Sequence, residues 1–149
     1  MIEINNLTSI ALDENFFKKT AQKVFEGEKK KNIYLSIALV EPNRMRKINR
    51  EYRGKNRVTD VLSFSEPNLF QKQLKKDPLL KAWNLGEIII CPREVKKNAK
   101  RFSSTFEKEL TLCLIHGILH LLGYEHEKSE KKAELMARKQ KNYLSQIFE

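Results

Sequence analysis

The stretch HGILHLLGYEH, His116 to His126, holds all three histidines of the chain and limits the fold more than any other segment. Around it, Leu110, Leu112, Cys113, Leu114, Ile115, Ile118, Leu119, Leu121 and Leu122 are apolar almost all round a helical wheel. A helix of that kind is buried. His116 and His120 stand four residues apart, so they share one face of it, one turn apart. Buried imidazoles need partners for their ring nitrogens. The other polar residues on their face within a turn are Thr111 and Cys113. A shared metal ion satisfies both rings. Gly123 then permits a sharp turn, which lets His126 return as a third ligand. Three nitrogen ligands leave one position open for water, the catalytic pattern, whereas structural zinc sites are usually closed by four protein ligands. Cys113 is the one alternative fourth ligand and reads better as a small core residue.

The elements around this helix follow from periodicity and punctuation. Residues 2–5 form a short edge strand. A helix ends at Gly27, with Phe16, Phe17, Thr20, Ala21 and Val24 at helical spacing. Residues 33–40, 58–64 and 86–92 read as strands. Pro42 opens a helix carrying Met45, Ile48 and Tyr52, which Gly54 stops. Pro92 opens another through Ala99. Ser104 and Glu107 form a capping-box pattern for the histidine helix. A last helix runs from about Ser129 to Ile147. Residues 66–84, with Pro67, Pro78 and scattered lysines, suggest a long connection, and loops of that length are usually functional or disordered. The sum is an α+β chain of the α/β type: about four strands in a mixed sheet, surrounded by about five helices, in one domain over 1–149.

Charge narrows the partners. With 29 Lys and Arg against 19 Asp and Glu, the net charge is +10. A small domain this basic is predisposed to polyanions, because each phosphate contact releases condensed counterions. The two cysteines, Cys91 and Cys113, lie far apart in apolar surroundings, which is reducing-compartment usage. No signal peptide or spanning segment is evident. The expectation is a soluble cytoplasmic protein with no membrane partner.

The spacing His116, His120, Gly123, His126 matches the metzincin metalloprotease pattern at its ligands and its glycine. The general-base glutamate of those enzymes is here Gly117, which carries no proton-transfer group. Peptide hydrolysis by that mechanism is therefore disfavoured. Arg50, Arg53, Lys55 and Arg57 cluster around Gly54, between a helix and a strand. Guanidinium groups there can clamp phosphate oxygens bidentately. A metal Lewis acid with an arginine suits attack on a phosphodiester. Asp60 can orient Arg53 or a ligand, or serve a turn.

At these residues the chain resembles the YbeY family of metal-dependent endoribonucleases and rRNA maturation factors. Three blocks carry the resemblance: NREYRGKNRVTDVLSF (49–64), LGEIIICP (85–92) and HGILHLLGYEH (116–126). It implies a mixed sheet surrounded by helices and one divalent metal, usually zinc, held by His116, His120 and His126. It also implies Arg53 and His116 as catalytic residues. The substrate it implies is single-stranded RNA rather than DNA. The role is 16S rRNA 3′-end maturation and quality control of the small ribosomal subunit. Three positions depart from the family pattern: Glu125 where Asp is usual, Ser65 where Pro is common, and a longer 66–84 connection. A non-enzymatic rRNA-binding assembly factor with a structural metal is the main alternative, followed by a phosphoesterase on small substrates and a zinc metalloprotease.

Overall fold

The computed structural model describes residues 1–65, 83–127 and 129–148. Among them, four strands form one sheet: β1 Ile2–Asn6, β2 Ile33–Leu39, β3 Val61–Phe64 and β4 Trp83–Ile90. The order is β1-β2-β4-β3. β1 and β4 both run parallel to β2, and β3 is antiparallel to β4 at the edge. The sheet is therefore mixed, as expected. Five helices are described: α1 Glu14–Gly27, α2 Pro42–Arg53, α3 Pro92–Arg101, α4 Phe106–Leu121 and α5 Glu130–Ile147.

Strict alternation in β2 buries Ile33, Leu35, Ile37 and Leu39 on one face. With Ile88 and Ile90 of β4 they meet Phe17, Ala21 and Val24 of α1, Leu114, Ile115, Ile118 and Leu119 of α4, and Met136 of α5. The four α4 residues are fully buried. Each contributes about 1.5–3 kcal/mol of hydrophobic stabilisation, which seats α4 firmly on the sheet. The opposite face carries a smaller cluster, where Met45 of α2 packs with Val40, Leu62, Ile89 and Cys91.

Several boundaries shift. The cap of α4 is Thr105, not Ser104: its hydroxyl accepts from the Lys108 amide at 3.2 Å. β3 begins at Val61, after Thr59 bonds to the Asp60 side chain and Asp60 accepts from Asn98. β4 begins three residues before Gly86, at Trp83, whose amide donates to the Asn32 carbonyl at 2.7 Å. Most of the expected 66–84 connection lies outside the described residues. Pro42 opens α2, and Gly54 closes it in the left-handed conformation, φ 68°. Ser129 caps α5 through the Lys132 amide.

Candidate metal centre and RNA cleft

α4 brings His116 and His120 to one face, both partly buried, where the helix passes the edge strand β3. After Leu121 the chain turns through Gly123, φ +106°, a value that L side chains rarely adopt. His126 then folds back, with its ring centroid 5.2 Å from that of His116. All three histidines line one cleft of about 330 Å³ with Arg53, Ser63, Glu125 and Glu127. The sequence placed these rings by spacing, and the geometry brings them together.

Gly117 sets how closely α4 lies against the sheet beside the cleft. A Cβ at that position would lie 2.9 Å from Ile88 Cδ1 and 3.1 Å from Ser63 Oγ. The helix therefore approaches β3 and β4 too closely for a glutamate side chain. The position where a metzincin places its base is here a packing contact. Ser63, pressed against Gly117, accepts a hydrogen bond through its carbonyl from Arg53 Nη2 at 3.3 Å. The close approach thus helps to hold the guanidinium at the mouth of the histidine cleft.

The donor set suits a metal. His120 Nδ1 is buried and has no hydrogen-bond partner among the described residues. Leaving such a group unsatisfied costs about 1–3 kcal/mol. Burial, and then the neighbouring His126, push the His116 pKa below the ordinary histidine value. A neutral imidazole is the form that ligates. No group of three His, Cys, Asp or Glu side chains among the described residues is drawn together as a ready-made cage. His126 is the outlying member: its side chain is 46 % exposed, and its Nε2 lies 3.7 Å from a Glu127 carboxylate oxygen. The residues fit a metal in chemistry, and His126 is the candidate ligand that would have to adjust.

Two contacts were not legible from spacing. Gln140, on α5, reaches His116 Nδ1 at 3.2 Å. Glu28, at the end of α1, accepts hydrogen bonds from Tyr124, Tyr143 and Lys139, the last at 2.9 Å. Tyr124 lies two residues before His126, so this buried carboxylate ties the His126 turn to two helices. Cys113 is 7 % exposed and its thiol donates to Asp60 Oδ2 at 3.5 Å. Burial, then Asp60, push that thiol well above its ordinary range. The thiol faces Asp60 and does not line the histidine cleft, which argues against a fourth ligand. Asp60 also accepts from Asn98 at 3.3 Å and gives its carbonyl to the Cys91 amide at 2.9 Å. These bonds link the start of β3 to α3 and α4, and Arg53 is held elsewhere. Arg50, Lys55 and Arg57 are exposed near Gly54, and Arg53 is the one residue of that basic cluster on the cleft wall.

Comparison with known proteins agrees. The family model described as Endoribonuclease YbeY matches residues 3–148. An endoribonuclease YbeY of Thermotoga neapolitana is 39% identical over 137 residues, 91% of this chain and 83% of that protein. One of Thermodesulfovibrio yellowstonii is 42% identical over 121 residues, 77% of this chain and 67% of that protein. A Thermotoga maritima protein solved in solution superposes with a TM-score of 0.66 at 32% identity, covering 99% of this chain and 89% of the other. With the family model matched over nearly the whole chain and these relatives alongside it, the chain belongs to the YbeY family of endoribonucleases, hydrolases that act on RNA.

Proposed function

We propose that the cleft of His116, His120, His126 and Arg53 hydrolyses phosphodiester bonds in single-stranded RNA, with residues 1–149 acting as one catalytic domain. The family's activity places the enzyme in rRNA processing. The specific task we assign is maturation of the 16S rRNA 3′ end and quality control of the small ribosomal subunit, in the cytoplasm. Among the described residues no helix is long and apolar enough to cross a membrane. The three imidazoles would hold one divalent metal, zinc by their nitrogen chemistry. When bound, such an ion supplies Lewis acidity toward a phosphate oxygen and lowers the pKa of water.

The chain's own residues do the rest. Arg53, anchored by one N–H on the Ser63 carbonyl, keeps further N–H donors for a phosphate oxygen. Its positive charge offsets the charge that grows on the pentacoordinate phosphorus. Arg50, Lys55 and Arg57, on the surface beside it, gather the polyanion in a salt-dependent way. Gly117 supplies no base, so proton removal by a side chain at that position is not part of the reaction.

One observation carries this reading: Arg53 shares a cleft with all three histidines. The test compares single- and double-stranded RNA with and without chelator, beside the His116→Ala variant. Chelator-sensitive cutting of the single strand, lost in the variant, is expected. Cutting that survives both treatments would come from a contaminating ribonuclease and would remove the assignment.

A further inference from the structure

A second opening, a groove of about 920 Å³, lies between α2 and the β3–β4 edge. Tyr52 and Phe64 line it, together with Arg44, Lys47, Glu51 and Glu87. Tyr52 is 68% exposed, so its ring gains little from burial. The inward side of α2 is instead Met45 and Asn49. Yet the Tyr52 ring is held in place: its centroid is 5.4 Å from that of Phe64, with the planes at 62°. Phe64 also carries the Arg53 guanidinium 5.9 Å from its ring centroid. Phe64 therefore joins the histidine cleft, through Arg53, to an outward-facing tyrosine.

The chemistry beyond Tyr52 selects the occupant. Lys47 and Arg44 stand five and eight residues back along α2, about 7.5 and 12 Å by helical rise. That is the reach of a strand of one or two nucleotides. Glu51 and Glu87 share the groove, so a bare row of phosphates is poorly matched to it. Nucleotides bring both partners: phosphates for the cations and amino-bearing base edges for carboxylates. An aromatic face adds stacking to any base, but a base reaches it only when unpaired.

We propose that this groove is the path of single-stranded RNA into the histidine cleft, with one unpaired base stacked on Tyr52. The flanking phosphates lie on Arg53 at one side and on Lys47 and Arg44 at the other. Stacking on Tyr52 then contributes to the choice of single strands over duplexes. The proposal rests on the endoribonuclease reading and adds a substrate-binding residue to it.

The test is steady-state cleavage of a short single strand by wild-type protein and by Tyr52→Ala, Tyr52→Phe and Tyr52→Trp, with melting temperatures measured alongside. Stacking is worth about 1–3 kcal/mol per base, a factor of roughly 5–150. Tyr52→Ala is expected to raise KM by 5-fold or more, with kcat and melting temperature little changed, while the aromatic variants stay near wild type. A substrate made abasic near the cut should erase the difference between wild type and Tyr52→Ala. Unchanged KM in Tyr52→Ala, or a Tyr52→Phe variant as weak as Tyr52→Ala, overturns the platform while leaving the nuclease reading standing. A dimer that Tyr52→Ala splits, with KM unaltered, assigns the groove to a second copy and equally overturns it. Wild-type protein that cuts no RNA ends both readings together.

Discussion

Gln140 and His116 are 24 residues apart in sequence, yet the Gln140 amide nitrogen lies 3.2 Å from His116 Nδ1. A side-chain amide can present either of two groups to that nitrogen. If its NH2 donates, Nδ1 accepts, and the ring proton sits on Nε2. If its carbonyl accepts, Nδ1 carries the proton, and the Nε2 lone pair is left for a metal. Metal-ligating histidines normally donate their other N–H in this second way, and losing that acceptor typically costs 10–100-fold in affinity or activity.

The first prediction follows from that choice. Gln140→Leu should weaken metal binding by about 10–100-fold, read by competition with a coloured chelator. Gln140→Glu, which can only accept when ionised, should bind at least as tightly as wild type. Equal loss in both variants would mean that Gln140 serves packing alone.

The second concerns Gly117. An added methyl group meets the end of Ile88, which can swing aside, and Ser63 Oγ, on the strand that anchors Arg53. Gly117→Ala should therefore lower kcat more than it lowers stability, since alanine's helix propensity, about 1 kcal/mol better than glycine's, offsets part of the strain. Gly117→Glu is expected to unseat α4 from β3 and to yield no peptidase. A melting curve and a casein digest check both outcomes.

The third concerns Arg53. Its ring contact and carbonyl bond place it on the cleft wall, outside the ligand set. Arg53→Ala should leave bound metal stoichiometric while cutting kcat by about 10²–10³, the usual loss of one transition-state donor. Arg53→Lys should recover little, because the ammonium lacks the planar fork. Unaltered turnover in Arg53→Ala would remove it from the mechanism.

The division between what the sequence revealed and what it hid has a physical basis. His116, His120, Gly123 and His126 lie on one helix and its exit turn, so local geometry alone predicts that they meet. The α2 boundaries were legible because Pro42 and Gly54 act on their own backbone torsions. Gln140 and Glu28 were not, since their contacts depend on how α1 and α5 cross α4, and no local periodicity encodes that. The purpose of Gly117 was half visible: its missing carboxylate could be read, but its nearness to Ser63 and Ile88 required the packed sheet.

The last prediction concerns acid stability and Glu28. Its side chain is 5% exposed and receives Tyr124, Tyr143 and Lys139 together. Burial alone would raise the Glu28 pKa, but the hydrogen bonds from the two tyrosines and the lysine outweigh it and hold the pKa below the ordinary 4.5. The folded state therefore favours the charged carboxylate more than the unfolded chain does. Its contribution to stability is full above about pH 4.5 and is lost as pH falls through the lower folded value. Glu28→Gln cannot match three donors with one carbonyl oxygen. At neutral pH it should cost about 1.5–3 kcal/mol, as for hydrogen bonds to charged groups, or roughly 3–12 °C in Tm for a domain of this size. The gap between the two proteins should close as the pH drops below 4.5, because wild type then loses the charge that the variant never had. Tyr124 leads into His126, so the variant should also hold metal less tightly at neutral pH. A Tm difference that stays constant from pH 7 to pH 3 would show that the carboxylate's charge is not what ties the turn to α5.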